Sequence, residues 1–290
     1  MPDIWSFAAV VTKTLMYFGI LTSSGLVLTR FVFAAEISSV LPVMRKSSLL
    51  CALLGVVAAL ASFCLSGAAL TGDMSGLTDP DMLGLLWQTQ VGTALQMRLV
   101  GGVLMLTGLL LGGSGWGLAG LGALTALWSF TQIGHLSEGQ DLWPKLLLMA
   151  HLSAIAFWIG ILLPLNRLAR NPGELARAGQ LGHRFGQIAT VVIPVLLLAG
   201  IALGWLLVGS WGNLFTTAYG LDLIVKLVLV AVLLALGAWN KLRIVPDMIS
   251  GNPKAAAKLS QTMFVEWLFF IAVLLATASL TLLFALPDNH

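Results

Sequence analysis

Long apolar runs, separated by short polar breaks, organise this chain from end to end. Eight can be marked, at about 4–29, 49–70, 91–112, 116–135, 145–166, 186–208, 221–242 and 263–286. Each approaches or exceeds the roughly 20 residues that a helix needs to cross a hydrocarbon core. Strict alternation of apolar and polar positions is absent from them, so helices rather than a barrel are expected to satisfy the backbone. The pattern predicts an all-α polytopic membrane protein. It reads as a bundle of eight transmembrane helices in a single integral-membrane domain, 1–290, with no loop long enough for a separate domain. Asp3 rather than a basic segment precedes the first run, which is also longer than a secretory h-region. It is therefore expected to be retained as a helix.

Composition points to the same solvent. Hydrophobic residues make up 58% of the chain and charged residues 9%, against roughly 25% charged in soluble domains. The remaining charges are sorted between the connections. Those after the first, fifth and seventh runs carry Arg30, Arg45, Lys46, Arg167, Arg170, Arg177, Arg184, Lys241, Arg243, Lys254 and Lys258, eleven of the fifteen basic residues. Those after the second, fourth and sixth carry Asp73, Asp79, Asp81, Glu138, Asp141 and Asp222. Lys/Arg-rich connections belong on the cytoplasmic side, which predicts both termini outside. The net charge of +3 is thus topological and points to no nucleic-acid partner. Cys51 and Cys64 share one run, 13 residues apart, on different faces of a regular helix. They read as small buried apolar groups rather than a disulfide.

Ionisable groups inside apolar runs are the informative residues, because each is costly in the membrane. They are Lys13, Arg98, His135, Lys145, His151, Lys226 and Glu266. Several have ordinary explanations. Lys13 and Arg98 can snorkel, Lys145 can anchor the interface, Lys226 can pair with Asp222 one turn away, and Glu266 can sit at a helix start where the dipole favours it. His183 reads as solvated among arginines. His135 and His151 resist this treatment. The stretch QIGHLSEGQDLWPKLLLMAHL puts them at facing ends of consecutive helices, both in the outer half. Met149 lies beside His151, and Met97 sits on the third run within a Thr93, Met97, Gly101, Met105 stripe. Imidazole and thioether in a dry cavity suit a soft cation, copper above all, as Cu(I) or Cu(II). The acidic outer connections would concentrate cations there. Trp158, Cys64 and Glu266, with Lys13 and Arg98, are candidate positions along a path inward. A different reading has the two imidazoles ligating one b-type haem, with Gly134 and Gly160 making room. A third is a membrane partner that hands copper to another protein. No nucleotide-binding loop and no hydrolytic Ser-His-Asp or His-Glu-x-x-His spacing occurs, so the expectation is not an enzyme.

Several stretches resemble the copper-resistance protein D (CopD) family of bacterial inner-membrane proteins. They are WQTQVG (87–92), GH (134–135), HLSAIAFWIGILLPL (151–165), RFGQIA (184–189) and YGLDLIVKLVLVAVLLALGAWNKLRIVP (219–246), with Glu266 in the last run. The resemblance implies an eight-helix copper protein of the inner membrane. It would work with periplasmic copper carriers and move copper inward, with the motif histidines falling on His135 and His151. Family members often carry a His in the first span, where this chain has Lys13. An ammonium is no ligand, which puts a three-imidazole site in doubt. Some relatives carry a fused periplasmic copper-binding domain, so a separate carrier is expected here.

Overall fold

The computed structural model describes residues 4–134, 141–250 and 252–283. Its elements are helical throughout, with no strand among the described residues. The helices are α1 (Ile4–Val32), α2 (Leu41–Thr71), α3 (Pro80–Trp87), α4 (Gln90–Leu111), α5 (Trp116–Trp128), α6 (Leu142–Ala169), α7 (Leu175–Val208), α8 (Trp211–Thr216), α9 (Ala218–Trp239), α10 (Val245–Ile249) and α11 (Pro253–Leu282). Seven helical segments among the described residues are long and apolar enough to cross a membrane. The predicted span 116–135 differs. Its α-helix stops at Trp128 and tightens into a 3-10 turn at Ser129–Gln132. Three other predicted spans begin too late. α2 starts at Leu41, α7 at Leu175 and α11 at Pro253, because backbone hydrogen bonding carries a helix through interfacial Arg and Lys that a hydropathy reading treats as its boundary.

Lipid tails are as apolar as leucine, so helices in a bilayer associate by close packing of small residues. The chain follows that rule. α1 lies at the centre, against α2, α5, α6 and α11. It crosses α2 where Gly19 meets Gly55, and a Cβ on Gly19 would lie 2.7 Å from the Cys51 carbonyl oxygen. It crosses α6 where Gly25 meets Gly160, with each glycine's missing Cβ position already occupied by the other helix's backbone. α4 and α5 approach in the same way at Gly101 and Gly122.

Side-chain contacts tie the ends of these helices together. At one end Arg45, near the start of α2, donates to the Leu109 and Leu110 carbonyls that close α4. Arg30 lies 5.7 Å over the Trp116 ring. Arg184 of α7 pairs with Glu36 at 2.5 Å, and Arg177 donates to Ser39 at 3.1 Å. Arg170 of α6 reaches Ser260 of α11 at 3.4 Å. The basic connections after α1 and α6 and the start of α11 therefore share one end. Towards the opposite end, Phe130 packs on Tyr17 with ring centroids 5.4 Å apart, and Asp79 caps α3 through Asp81 N and Met82 N.

Candidate functional site

A cavity of about 430 Å3 lies between α6, α7, α9 and α11, in the half nearer the basic end. Its wall is mostly apolar, with Trp158, Thr190, Asn240, Lys241, Met263 and Glu266 as its polar or polarisable members and Pro194 of α7 opposite. α7 runs through Pro194 without interruption. The proline lacks an N–H, and the ring that replaces it helps to shape this space.

Glu266 is the most deeply placed charge-bearing group here, only 2% exposed. Its Oε2 accepts from Trp158 Nε1 at 3.2 Å and its Oε1 from Asn240 Nδ2 at 2.5 Å. Thr262 Oγ1 lies 2.7 Å from Asn240 Oδ1, which fixes that amide's orientation. Trp158 is held edge-on against Phe270, with centroids 5.6 Å apart. A buried carboxylate is tolerable only with such donors around it. The backbone supplies Asn240 through a local irregularity. α9 gives way at Asn240–Ile244 to a π turn, which carries an extra residue and shifts the helix register. Asn240 is consequently 8% exposed while its neighbour Trp239 is 56% exposed.

His151 sits on the same face of α6, two turns before Trp158 and about 10 Å along the axis. Its Nδ1 lies 3.1 Å from the Leu196 carbonyl oxygen of α7. A carbonyl only accepts, so Nδ1 carries a proton, and in the neutral ring the lone pair is then on Nε2. Room for the ring comes from Gly200, where a Cβ would lie 3.0 Å from His151 Cε1. Lys226 on α9 is within electrostatic range of both His151 and Asp222.

The other sequence candidates fall in several places. His135 lies outside the described residues. Met149 is about 200° around α6 from His151, so the two do not share a face. Met97 is on α4, which packs against α2 and α5 and not substantially against α6. Cys64 is a free thiol on α2, away from the helices that line the cavity. Lys13 and Arg98 come together on a second cavity of about 190 Å3. Glu266 is not at a helix start, since α11 begins at Pro253, more than three turns earlier. Its stabilisation comes from Trp158 and Asn240 rather than from the dipole. Two acids of the outer connections serve locally. Hydrogen bonds from Ser75 hold the Asp73 carboxyl below the usual carboxylate range, and Asp79 is a cap. No group of three or more His, Cys, Asp or Glu that could hold a metal occurs among the described residues.

Sequence reasoning passed over Asn240, Thr262 and Met263. The signal available for Asn240 was an amide at the end of an apolar run, easily taken for a boundary residue.

Residues 179–280 match the family described as copper resistance protein D, and residues 1–143 match the copper resistance protein D-like N-terminal domain. Copper transport protein CutJ of Bacillus subtilis (strain 168) is 32% identical over 142 residues, which are 48% of this chain and 25% of that protein. The match thus spans a quarter of the length of that curated relative. No solved structure matches.

Proposed function

Because this chain belongs to the copper resistance protein D family and is a multi-pass inner-membrane protein, we propose that it takes copper from the periplasmic side and passes it toward the cytoplasm. The observation that carries this reading is the alignment on α6 of His151, with Nε2 free, above the Trp158–Glu266–Asn240 cluster and its cavity. Copper here is cargo. Imidazole would receive it, the Met263 thioether would favour Cu(I), and the Glu266 carboxylate would offset its charge on the way to the basic end. Sparse ligands suit a path, since a site that binds too tightly does not release. A periplasmic copper carrier would supply the ion.

In the proposed topology the chain crosses eight times with both termini periplasmic. The support is that 116–132 runs from the level of Arg30, through Trp116, to the level of Arg98, through Ser129. Thirteen α and four 3-10 residues reach about 28 Å, close to the hydrocarbon thickness. A reporter fused to the C-terminus is expected to be active only if it matures in the periplasm. A reporter active only in the cytoplasm would refute the even number of crossings.

The uptake experiment uses proteoliposomes with Cu(I) presented on the periplasmic face. Wild type is expected to accumulate copper, and His151→Ala to do so at least about tenfold more slowly, the equivalent of about 1.4 kcal/mol in the barrier. Equal rates for the two would remove His151 from the path. Copper binding with no accumulation in either would identify a handoff protein instead.

A further inference from the structure

Lys13 and Arg98, far apart in sequence, face one cavity of about 190 Å3 between α1, α2, α4 and the end of α11. It lies in the half of the bundle away from Glu266. Arg98 is only 8% exposed. Its Nε donates to Ser129 Oγ at 3.2 Å and its guanidinium carbon lies 5.1 Å over the Phe130 ring. Tyr17 is within electrostatic range. No carboxylate is paired with Arg98 or Lys13 among the described residues. Ser62 also lines the cavity, and its hydroxyl has no hydrogen bond among the described residues. Ser66 and Thr281, further along the wall, donate to their own helices.

Two cations and a free hydroxyl around a space this small have a definite complement. A buried charge needs a counter-charge, and the cavity is below the roughly 300 Å3 of an organic-ligand pocket. A guanidinium fork matches the paired oxygens of an oxyanion, and an ammonium adds a point charge. The same two charges repel a copper ion, so this cavity is separate from the proposed copper path and does not depend on it. We infer that it binds a phosphate-type oxyanion, either inorganic phosphate or the phosphodiester headgroup of an anionic lipid.

The test uses the full chain in phosphatidylcholine nanodiscs, with thermal unfolding followed during titration with sodium phosphate. Sodium chloride at matched ionic strength is the control, and a parallel set of discs contains phosphatidylglycerol. A saturable rise in midpoint with phosphate identifies the free ion. A midpoint already raised in phosphatidylglycerol discs, with no further effect of phosphate, identifies the lipid. In either case Lys13→Gln is expected to weaken the effect roughly tenfold or more. Arg98→Lys, which keeps the charge and loses the fork, is expected to fall between. The Lys13 side chain is only half-buried, so its variant reports on binding even if changes at Arg98 impair folding. If neither phosphate nor phosphatidylglycerol raises the wild-type midpoint above that of Lys13→Gln, the inference is wrong.

Discussion

Gly160→Val yields no folded protein: the expected result is a chain that aggregates on extraction. Gly160 and Gly25 lie backbone to backbone where α1 crosses α6, and the Cβ position of each is already filled by the other helix. Side chains can yield to an added methyl by changing rotamer, but here the obstacles are a carbonyl carbon and oxygen, so the two helices must separate. α1 is the central helix, and moving it off α6 also disturbs its contacts with α2 and α11. Ordinary overpacking costs about 1–3 kcal/mol. A backbone collision at the hub belongs with the rare losses beyond about 4 kcal/mol. Gly117→Ala is the control. Gly117 also sits in an apolar helix, but nothing lies within 4 Å of its Cβ position, and the change should leave the thermal midpoint the same or slightly higher. Equal yields of Gly160→Val and Gly117→Ala by size-exclusion chromatography would show that the α1–α6 crossing is not so close.

Glu266→Gln is expected to fold and to lose most copper uptake. The change keeps the shape and removes the charge. Both carboxylate oxygens now accept, from Trp158 Nε1 and Asn240 Nδ2. An amide offers only one acceptor, and the indole can only donate. The Asn240 amide could turn to accept, but it would then present its NH2 to Thr262, which now lies against Asn240 Oδ1. The Thr262 hydroxyl can accept from that NH2 while its own proton goes to the Leu259 carbonyl 2.9 Å away, so every donor finds a partner and the unfolding midpoint is expected to change little. On the proposed copper path the uptake effect is separate, since a copper ion passing the cavity would meet no compensating charge. A decline of at least about tenfold is expected, and a negative charge at low dielectric is easily worth that. Glu266→Asp, which restores the charge one methylene short, should recover part of the uptake. Wild-type transport by Glu266→Gln would exclude the carboxylate from the path, whatever its stability.

Several features of the site were readable from residues alone. An acid and a histidine inside apolar runs are each conspicuous against a chain with 9% charged residues. Glu266 stands out on that ground and Trp158 by its place on the His151 face of the same run, and the two prove to be hydrogen-bond partners across α6 and α11. Their relationship was not readable, because 108 residues separate them and no local pattern records a contact at that range. Met149 stands out by its chemistry and its place beside His151, and Met97 by its chemistry within a helical stripe of the third run. Helical geometry turns Met149 off the His151 face, and bundle packing leaves Met97 on another helix pair. Lys13 and Arg98 could be read one by one as snorkelling cations, and only their shared cavity makes them a pair.

The amino-acid order by itself determined the solvent, the helical class and the clustering of basic connections at one end. These depend on the hydropathy and charge of each stretch taken alone, summed along the chain. Tertiary packing decided that span 116–135 shortens into a 3-10 turn and that a π turn swings Asn240 onto Glu266. Those outcomes depend on which surfaces meet. A buried carboxylate is stable only where donors from other helices converge on it, and that convergence is a property of the bundle rather than of any one segment.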